Sequence, residues 1–554
     1  MSFLNPHANE GGRLYPRLGS WATCGRLTDE KFSGNHNDML NLMSEFRTSA
    51  HQPSRIMKKK LTPSVAMKNQ QQALYDALSA RDRKFDGRFF VGVSSTGIYC
   101  RPVCSARTPK IENCTFYPSA AAAELAGFRP CLKCRPELAP GLALIDLGNR
   151  YAQVAVQLIE QGYLSEHSCE QLAARLGISD RHLRRIFADQ FGASPIDYAQ
   201  SHRLLQAKRL LADTDMPLSD VAFAAGFGSL RRFNELFKAR YRLIPSALRS
   251  SSERNERTVA SGLVFHVSYR PPYDWQRMLG FLHARAVSGV ERVEGQQYLR
   301  AIAITQGGVE YCGWVSVQPD ETRNRVRVEI AASLSRVTTE VLRRIRQLFD
   351  LDAAPDLIAH ALGTLAADAP GLRLPGCVNS FEQAVRAVLG QLVSVKMAAI
   401  FAGRMAEQWG TPLEQPYSGI THLFPNAEQV AQLQPEALRS LGVQLKRAAA
   451  VIEIARAITE GRLQLDNVLD IDQGIKALTA LPGIGSWTAN YIAMRAWSWP
   501  DVFLAGDYLI KQRFPGMTPR QIEKYAERWR PWRSYATLHL WHNDAWAPLV
   551  NVDD

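Results

Sequence analysis

Four cysteines constrain this chain more than any other feature. Cys100 and Cys104 stand as C-x3-C, and Cys131 and Cys134 follow as C-x2-C. Two close pairs at this separation can supply four thiolates to one tetrahedral Zn²⁺ and close the residues between them into a small domain. Read from spacing alone, that zinc is structural. Cys114 lies between the pairs and reads as a core residue rather than a fifth ligand. With nine cysteines in 554 residues, four of them in this pattern, a reducing compartment fits better than a disulfide framework.

A chain this long exceeds one core, since domains average roughly 150 residues. Hydrophobic residues make up 46% of it, enough to fold most of its length, and the net charge is +13. Positive charge spread over an ordinary composition favours nucleic acid as the partner over a membrane surface. No apolar run approaches the roughly 20 residues that cross a bilayer. The N-terminus also lacks the charged-then-apolar layout of a secretory signal. The expectation is a cytoplasmic, nucleoid-associated protein with no membrane partner.

Periodicity divides the chain into five segments. Residues 1–66, rich in Gly, Asn, His, Ser and Pro, carry no sustained pattern and read as a disordered extension. Met57 and Met67 both precede the first convincing domain, as an overlong gene start would have it. Residues 67–138 hold the cysteine pairs, with a strand over 89–93 and a short helix over 120–126. Residues 142–250 turn helical and contain two copies of one unit. Residues 169–179 precede 181–187 in the first copy, and 218–227 precede 230–233 in the second. Each copy places Ala-Ala on a helix, a Gly at a tight turn, and a Ser able to cap a second, arginine-bearing helix. A long helix over 197–211 separates them. The polar run 250–257 is the clearest linker. Residues 261 to about 335 alternate apolar and polar side chains as an antiparallel sheet with a few helices does. The pattern is helical again from about 340 to 548, and the two domains expected here span 261–365 and 366–548. The expected fold is multidomain α+β: a small zinc domain, an all-α tandem helix-turn-helix domain, an antiparallel α+β domain and an all-α helix-hairpin-helix domain.

Gly97-Ile98-Tyr99-Cys100-Arg101-Pro102-Val103-Cys104 and Gly127-Phe128-Arg129-Pro130-Cys131-Leu132-Lys133-Cys134 resemble the Ada methyl-acceptor domain. The resemblance implies one zinc, no longer structural only. Cys100 would take a methyl group, once and irreversibly, from a methylphosphotriester in DNA, with Thr96, Arg107 and Arg129 on the DNA-facing side. A zinc-bound sulfur stays a thiolate at neutral pH and needs no separate base. Four thiolates around one Zn²⁺ carry a formal charge of about −2. Methylation cuts this to about −1, so affinity for DNA should rise. The paired helical units resemble the AraC/XylS-type DNA-binding domain, which would bring Arg181, Arg184, Arg185, Arg231 and Arg232 to base edges or phosphates. Such a regulator implies promoter DNA as a partner, and RNA polymerase with it.

Leu481-Pro482-Gly483-Ile484-Gly485-Ser486-Trp487-Thr488-Ala489 resembles the helix-hairpin-helix of DNA glycosylases, in which Gly483 and Gly485 would turn amide N–H groups toward a phosphate. From Pro271 to about Trp546 the chain is similar to the AlkA family of 3-methyladenine-DNA glycosylases. That likeness implies alkylated double-stranded DNA as substrate and Asp507 as the catalytic carboxylate, stabilising positive charge on the sugar and guiding water to the anomeric carbon. Trp487 and Tyr491, four residues apart and so on one helix face, would join Trp541 in walling a π-rich pocket for an extruded cationic base. Leu392 would fill the gap left in the duplex. Ala505 stands where many relatives carry proline, so a looser loop and lower activity are expected. Trp487 occupies the place of the Schiff-base lysine of lyases, which excludes a β-lyase step there. No cysteine follows Asp507, leaving an iron–sulfur cluster without ligands. No Pro-Cys-His-Arg segment occurs, so O6-alkylguanine transfer is expected to be missing. The reading is a methylation-sensing regulator fused to a monofunctional glycosylase. Its alternative is a regulator with a structural zinc and a non-catalytic glycosylase-like module.

Overall fold

The computed structural model describes residues 65–142, 150–249, 258–259, 262–468 and 470–548. Residues 1–64 of the expected extension and the polar run 250–257 lie outside the described residues. The first helix, Val65–Ser79, lays Leu74, Ala77 and Leu78 against Phe89, Val91, Cys114 and Phe116. These belong to a four-stranded sheet in the order Cys114–Tyr117, Phe90–Val93, Ile98–Cys100, Arg129–Pro130. The first three strands run antiparallel and the last joins in parallel. Cys114 is 4% exposed within that core.

Helices occupy residues 150–249. The first unit pairs Cys169–Arg175 with Asp180–Phe191 and the second pairs Leu218–Ala224 with Leu230–Tyr241, with Pro195–Asp213 between them. Gly177 and Gly226 turn the two corners at φ of 70° and 84°, a region that strains any residue with a Cβ. Ser179 and Ser229 then cap the second helices, accepting from the N–H groups of His182 and Arg232 at 3.2 Å each. The two units rest on different foundations. The first closes its own core around Leu172, Leu183 and Phe187. In the second, Val221, Phe233, Phe237 and Tyr241 share one apolar core with Phe265, Trp275 and Val328 of the domain that follows.

That domain is a six-stranded antiparallel sheet in the order Thr258–Val259, Gly262–Ser268, Arg325–Ala331, Val309–Asp320, Gln297–Gln306, Glu291–Glu294. Helices Trp275–His283 and Thr338–Leu348 pack into its core. The helices beyond form two more cores, one around Val388, Ile454 and Ile492, the other around Leu504, Ile510 and Leu538. One hairpin, Pro412–Tyr417 with Ile420–His422, interrupts this otherwise helical region. Ser418 and Gly419 turn it, both at positive φ. Tyr417 stacks on Trp314 at 3.9 Å, so the hairpin extends the sheet's core. Alternation this short does not register against the helical period around it.

Arg270 joins the zinc domain to the sheet. Its side chain is fully buried and donates to the carbonyls of Asp86 (3.0 Å), Gly141 (2.7 Å) and Asp352 (2.7 Å). Those three oxygens come from the zinc domain, the connector after it and the start of the helical half. Gly87 is required here, because a Cβ would stand 2.0 Å from the carbonyl oxygen of Pro140. Asp352 also accepts from the Gly141 N–H at 2.7 Å and pairs with Arg346. No helix among the described residues is long and apolar enough to cross a membrane.

Candidate functional sites

Strand pairing assembles the zinc centre. Tyr99 lies opposite Pro130, so Cys100 and Cys131, each one residue further on, emerge side by side. The Cys131 N–H donates to the Tyr99 carbonyl at 3.0 Å, and a turn from Arg101 to Cys104 closes at 3.2 Å. All four sulfurs lie within 4.8 Å of one another. Zinc–sulfur bonds of about 2.3 Å would space tetrahedral sulfurs about 3.8 Å apart, so the donor set fits zinc. The Cys134 sulfur accepts the Arg101 N–H at 3.4 Å. Cys100 and Cys134 are half-buried, whereas Cys104 and Cys131 are buried. An N–H donor draws charge from a thiolate and so lowers the nucleophilicity of the Cys134 sulfur.

Thr96 is exposed on the turn between the strands that lead to Cys100, and Arg129, half-buried, pairs across from Ile98. Arg107 is exposed on the loop after Cys104. In the helical units Arg181, Arg184, Arg185, Arg231 and Arg232 are all exposed. Arg184 pairs with Asp180 at 2.6 Å and Arg231 with Glu235 at 3.0 Å, while Arg185 donates to His182 at 2.9 Å. Exposed pairs of this spacing contribute only about 0.3–0.5 kcal/mol, so a phosphate or base edge can displace them at small cost.

The base-pocket candidates come together where the helical cores meet. Trp487 and Tyr491 stack at 5.1 Å with planes 13° apart, and Trp541 lies 6.4 Å from Tyr491. With Asp507 they line one cavity. Asp507 is 5% exposed and caps helix Tyr508–Arg513, its Oδ1 accepting from the N–H groups of Leu509 (3.0 Å) and Ile510 (3.3 Å). It also accepts two indole N–H groups, from Trp541 on Oδ1 at 3.0 Å and from Trp487 on Oδ2 at 3.1 Å. Residues 502–505, which lead to it, are all buried, so packing holds the loop at Ala505.

Arg285, Arg386 and Arg495 also line the cavity, and the sequence reading missed them. Arg495 continues the Trp487, Tyr491 spacing by four, a signal open to inspection. Arg285 follows a helix of the sheet domain and carried no local signal. The Tyr491 phenol would be pushed up by burial, but Arg495, donating at 2.8 Å, and Arg285 outweigh burial and hold it below its usual value.

Leu392 sits on the turn between helices Ser380–Leu389 and Val395–Trp409, 89% exposed and at φ 55°. Its neighbour Gln391 donates to the Gly483 carbonyl and the Thr488 hydroxyl, both at 3.0 Å, tying that turn to the hairpin. Gly483 has φ 84°, and a Cβ there would stand 2.8 Å from that of Ala450. Gly485 is the N-cap of Ser486–Ala496 and offers no side chain to its first amides, which leaves them open to an anion.

Comparison with known proteins follows the same division. The model of the metal binding domain of Ada matches residues 73–137, that of a helix-turn-helix domain 172–251, and that of the AlkA N-terminal domain 264–379. The chain is 50% identical over 285 residues to DNA-3-methyladenine glycosylase 2 of Escherichia coli (strain K12), covering 51% of this chain and 99% of that protein. It is 37% identical over 497 residues to the probable bifunctional transcriptional activator/DNA repair enzyme AlkA of Mycobacterium tuberculosis, covering 86% of this chain and 98% of that one. The structure of a 3-methyladenine DNA-glycosylase from Archaeoglobus fulgidus matches with a TM-score of 0.44 at 21% identity, over 50% of this chain and 97% of that one.

Proposed function

This chain belongs to the family of bifunctional transcriptional activators and DNA repair enzymes of the AlkA type, and on that premise we propose how its parts divide the work. It joins a DNA-binding, zinc-dependent regulator to a 3-methyladenine-type DNA glycosylase. The observation that carries the enzymatic reading is Asp507, buried, ringed by four donors and open to the cavity that Trp487, Tyr491 and Trp541 wall.

Leu392 enters the duplex in place of the damaged nucleotide, and the gap it fills offsets part of the unstacking cost. The extruded base stacks against Trp487 and Tyr491, where π faces attract a positively charged purine. The bond from C1′ to the base nitrogen breaks with its electron pair leaving on the base. Asp507 faces the positive charge that develops on the sugar and orients a water toward C1′, whose proton passes to the carboxylate or solvent. Gly483 and Gly485 hold the phosphate of the strand.

In the regulatory half, Cys100, Cys104, Cys131 and Cys134 would hold one zinc, which keeps their sulfurs as thiolates. The Cys100 sulfur attacks the methyl carbon of a methylphosphotriester. A sulfur–carbon bond forms as the carbon–oxygen bond breaks, and the phosphodiester leaves as an anion. Thr96, Arg107 and Arg129 seat the DNA backbone beside it. The loss of one negative charge from the site then raises affinity for promoter DNA, read by the arginines of the two helical units.

The experiment measures free bases released from methylated duplex DNA by the native chain and by Asp507→Asn. Release of 3-methyladenine that falls at least about 100-fold in the variant is the expected result. A native chain that binds DNA and releases nothing would leave a regulator alone. Duplex carrying a labelled methylphosphotriester tests the other half: label should appear on the native chain and on Cys114→Ser, and not on Cys100→Ser.

A further inference from the structure

We propose that Trp487 and Trp541 are positioning residues for base release, acting through their indole N–H groups on Asp507, and are not walls of the pocket alone. This role rests on the glycosylase reading above and specifies how its carboxylate is aimed.

A helix cap needs one carboxylate oxygen. Asp507 Oδ1 meets that need with the Leu509 and Ile510 N–H groups. The two indoles come in addition, from separate helices, Ser486–Ala496 and Arg533–His542. Trp541 brings a third donor to Oδ1 at 3.0 Å, which fills that oxygen. Among the described residues Trp487 is the only donor to Oδ2, at 3.1 Å, and leaves it a lone pair. Oδ2 is therefore the oxygen available to the sugar and to water, and Trp487 sets its direction.

The direction is rigidly held. Trp487 stacks on Tyr491 with planes 13° apart. The Tyr491 hydroxyl accepts from Arg495 at 2.8 Å, and Arg495 is anchored in turn on the Gly376 carbonyl at 3.2 Å. Trp487, Tyr491 and Arg495 lie at successive four-residue steps of one helix, so the surface that receives the base and the donor that aims the carboxylate are one assembly. A base stacked there bears on the same indole plane that orients Oδ2. An indole nitrogen only donates, so the contribution is geometric and electrostatic, with no proton exchanged.

The test replaces each tryptophan in the full chain by β-(3-benzothienyl)alanine, which keeps the bicyclic ring and puts sulfur in place of N–H. Single-turnover release from methylated duplex is compared with affinity for a duplex containing 2′-fluorinated 7-methylguanosine, which resists hydrolysis. Loss of one hydrogen bond to a charged group is expected to slow release about 10- to 100-fold while affinity stays within about twofold. In the Asp507→Asn background the same replacement should cost little further, because both changes act on one group. Trp487→Phe and Trp541→Phe repeat the measurement with natural residues and should lose affinity as well as rate. Release within about twofold of native for both isosteres would overturn the role, as would rate and affinity falling together in the isosteres, or full loss persisting without Asp507. A native chain that releases no base would overturn the glycosylase reading itself, and this role with it.

Discussion

At the scale of single residues, the active half keeps costly conformations where DNA would meet it. Leu392 is a large apolar side chain left in water, at a backbone angle that favours glycine. Leu392→Gly is expected to raise thermal stability by roughly 0.5–1 kcal/mol, read by melting, through relief of the positive φ. The same change should cut base release from duplex DNA about tenfold or more, because no wedge fills the stack. A variant that is stabilised and fully active would show that Leu392 does not enter the duplex. Asp507 could be picked out from its motif, but the indole donors on it could not, since Trp541 and Trp487 reach it from helices far apart in the chain.

At the scale of elements, the zinc domain and the regulator meet at a buried acid. Glu124, on helix Ala120–Leu125, accepts from the hydroxyls of Tyr99 (3.0 Å), Tyr241 (3.2 Å) and Ser201 (2.5 Å). Burial pushes its carboxyl up to about 7, against those hydrogen bonds and the charge of Arg240. A carboxyl raised on folding contributes stability that is full below its unfolded pKa and is lost as pH rises through the folded value. The native chain should therefore lose stability between pH 5 and 8, and Glu124→Gln should flatten that slope, as followed by melting temperature against pH. A slope unchanged in the variant would place the titrating group elsewhere. Both helical units could be recognised from sequence because their turns obey local rules: glycine at positive φ, serine at the cap. Their dissimilar footing could not, because the second unit buries Phe233 and Phe237 against a sheet beyond residue 260.

At the scale of the molecule, regulator and glycosylase are one packed body. Arg270 satisfies carbonyls from three segments, and Arg88 reaches Asp356 at 3.2 Å beside it. Arg270→Met fills the space but leaves those oxygens without donors, at about 1–3 kcal/mol for each that stays buried. Calorimetry is expected to show the zinc domain unfolding separately in this variant, at lower temperature than the rest. Coincident unfolding of variant and native would mean the junction contributes nothing to cooperativity.

The sequence by itself determined what depends on near neighbours. Cysteine spacing, helix caps, the alternation of strands and the hairpin glycines are set within a few residues of themselves. Each could therefore be read, and so could the family likeness built on them. Tertiary structure decided what depends on distant groups meeting. It brought four sulfurs from two distant pairs within reach of one ion, brought Arg285 and Arg495 to Tyr491, and set two indoles on Asp507. It also fused the second helical unit to the sheet across a run that looks like a linker. The physical reason is the same in each case: hydrogen-bond direction and burial are properties of the packed chain, and no local pattern encodes which remote donor will arrive.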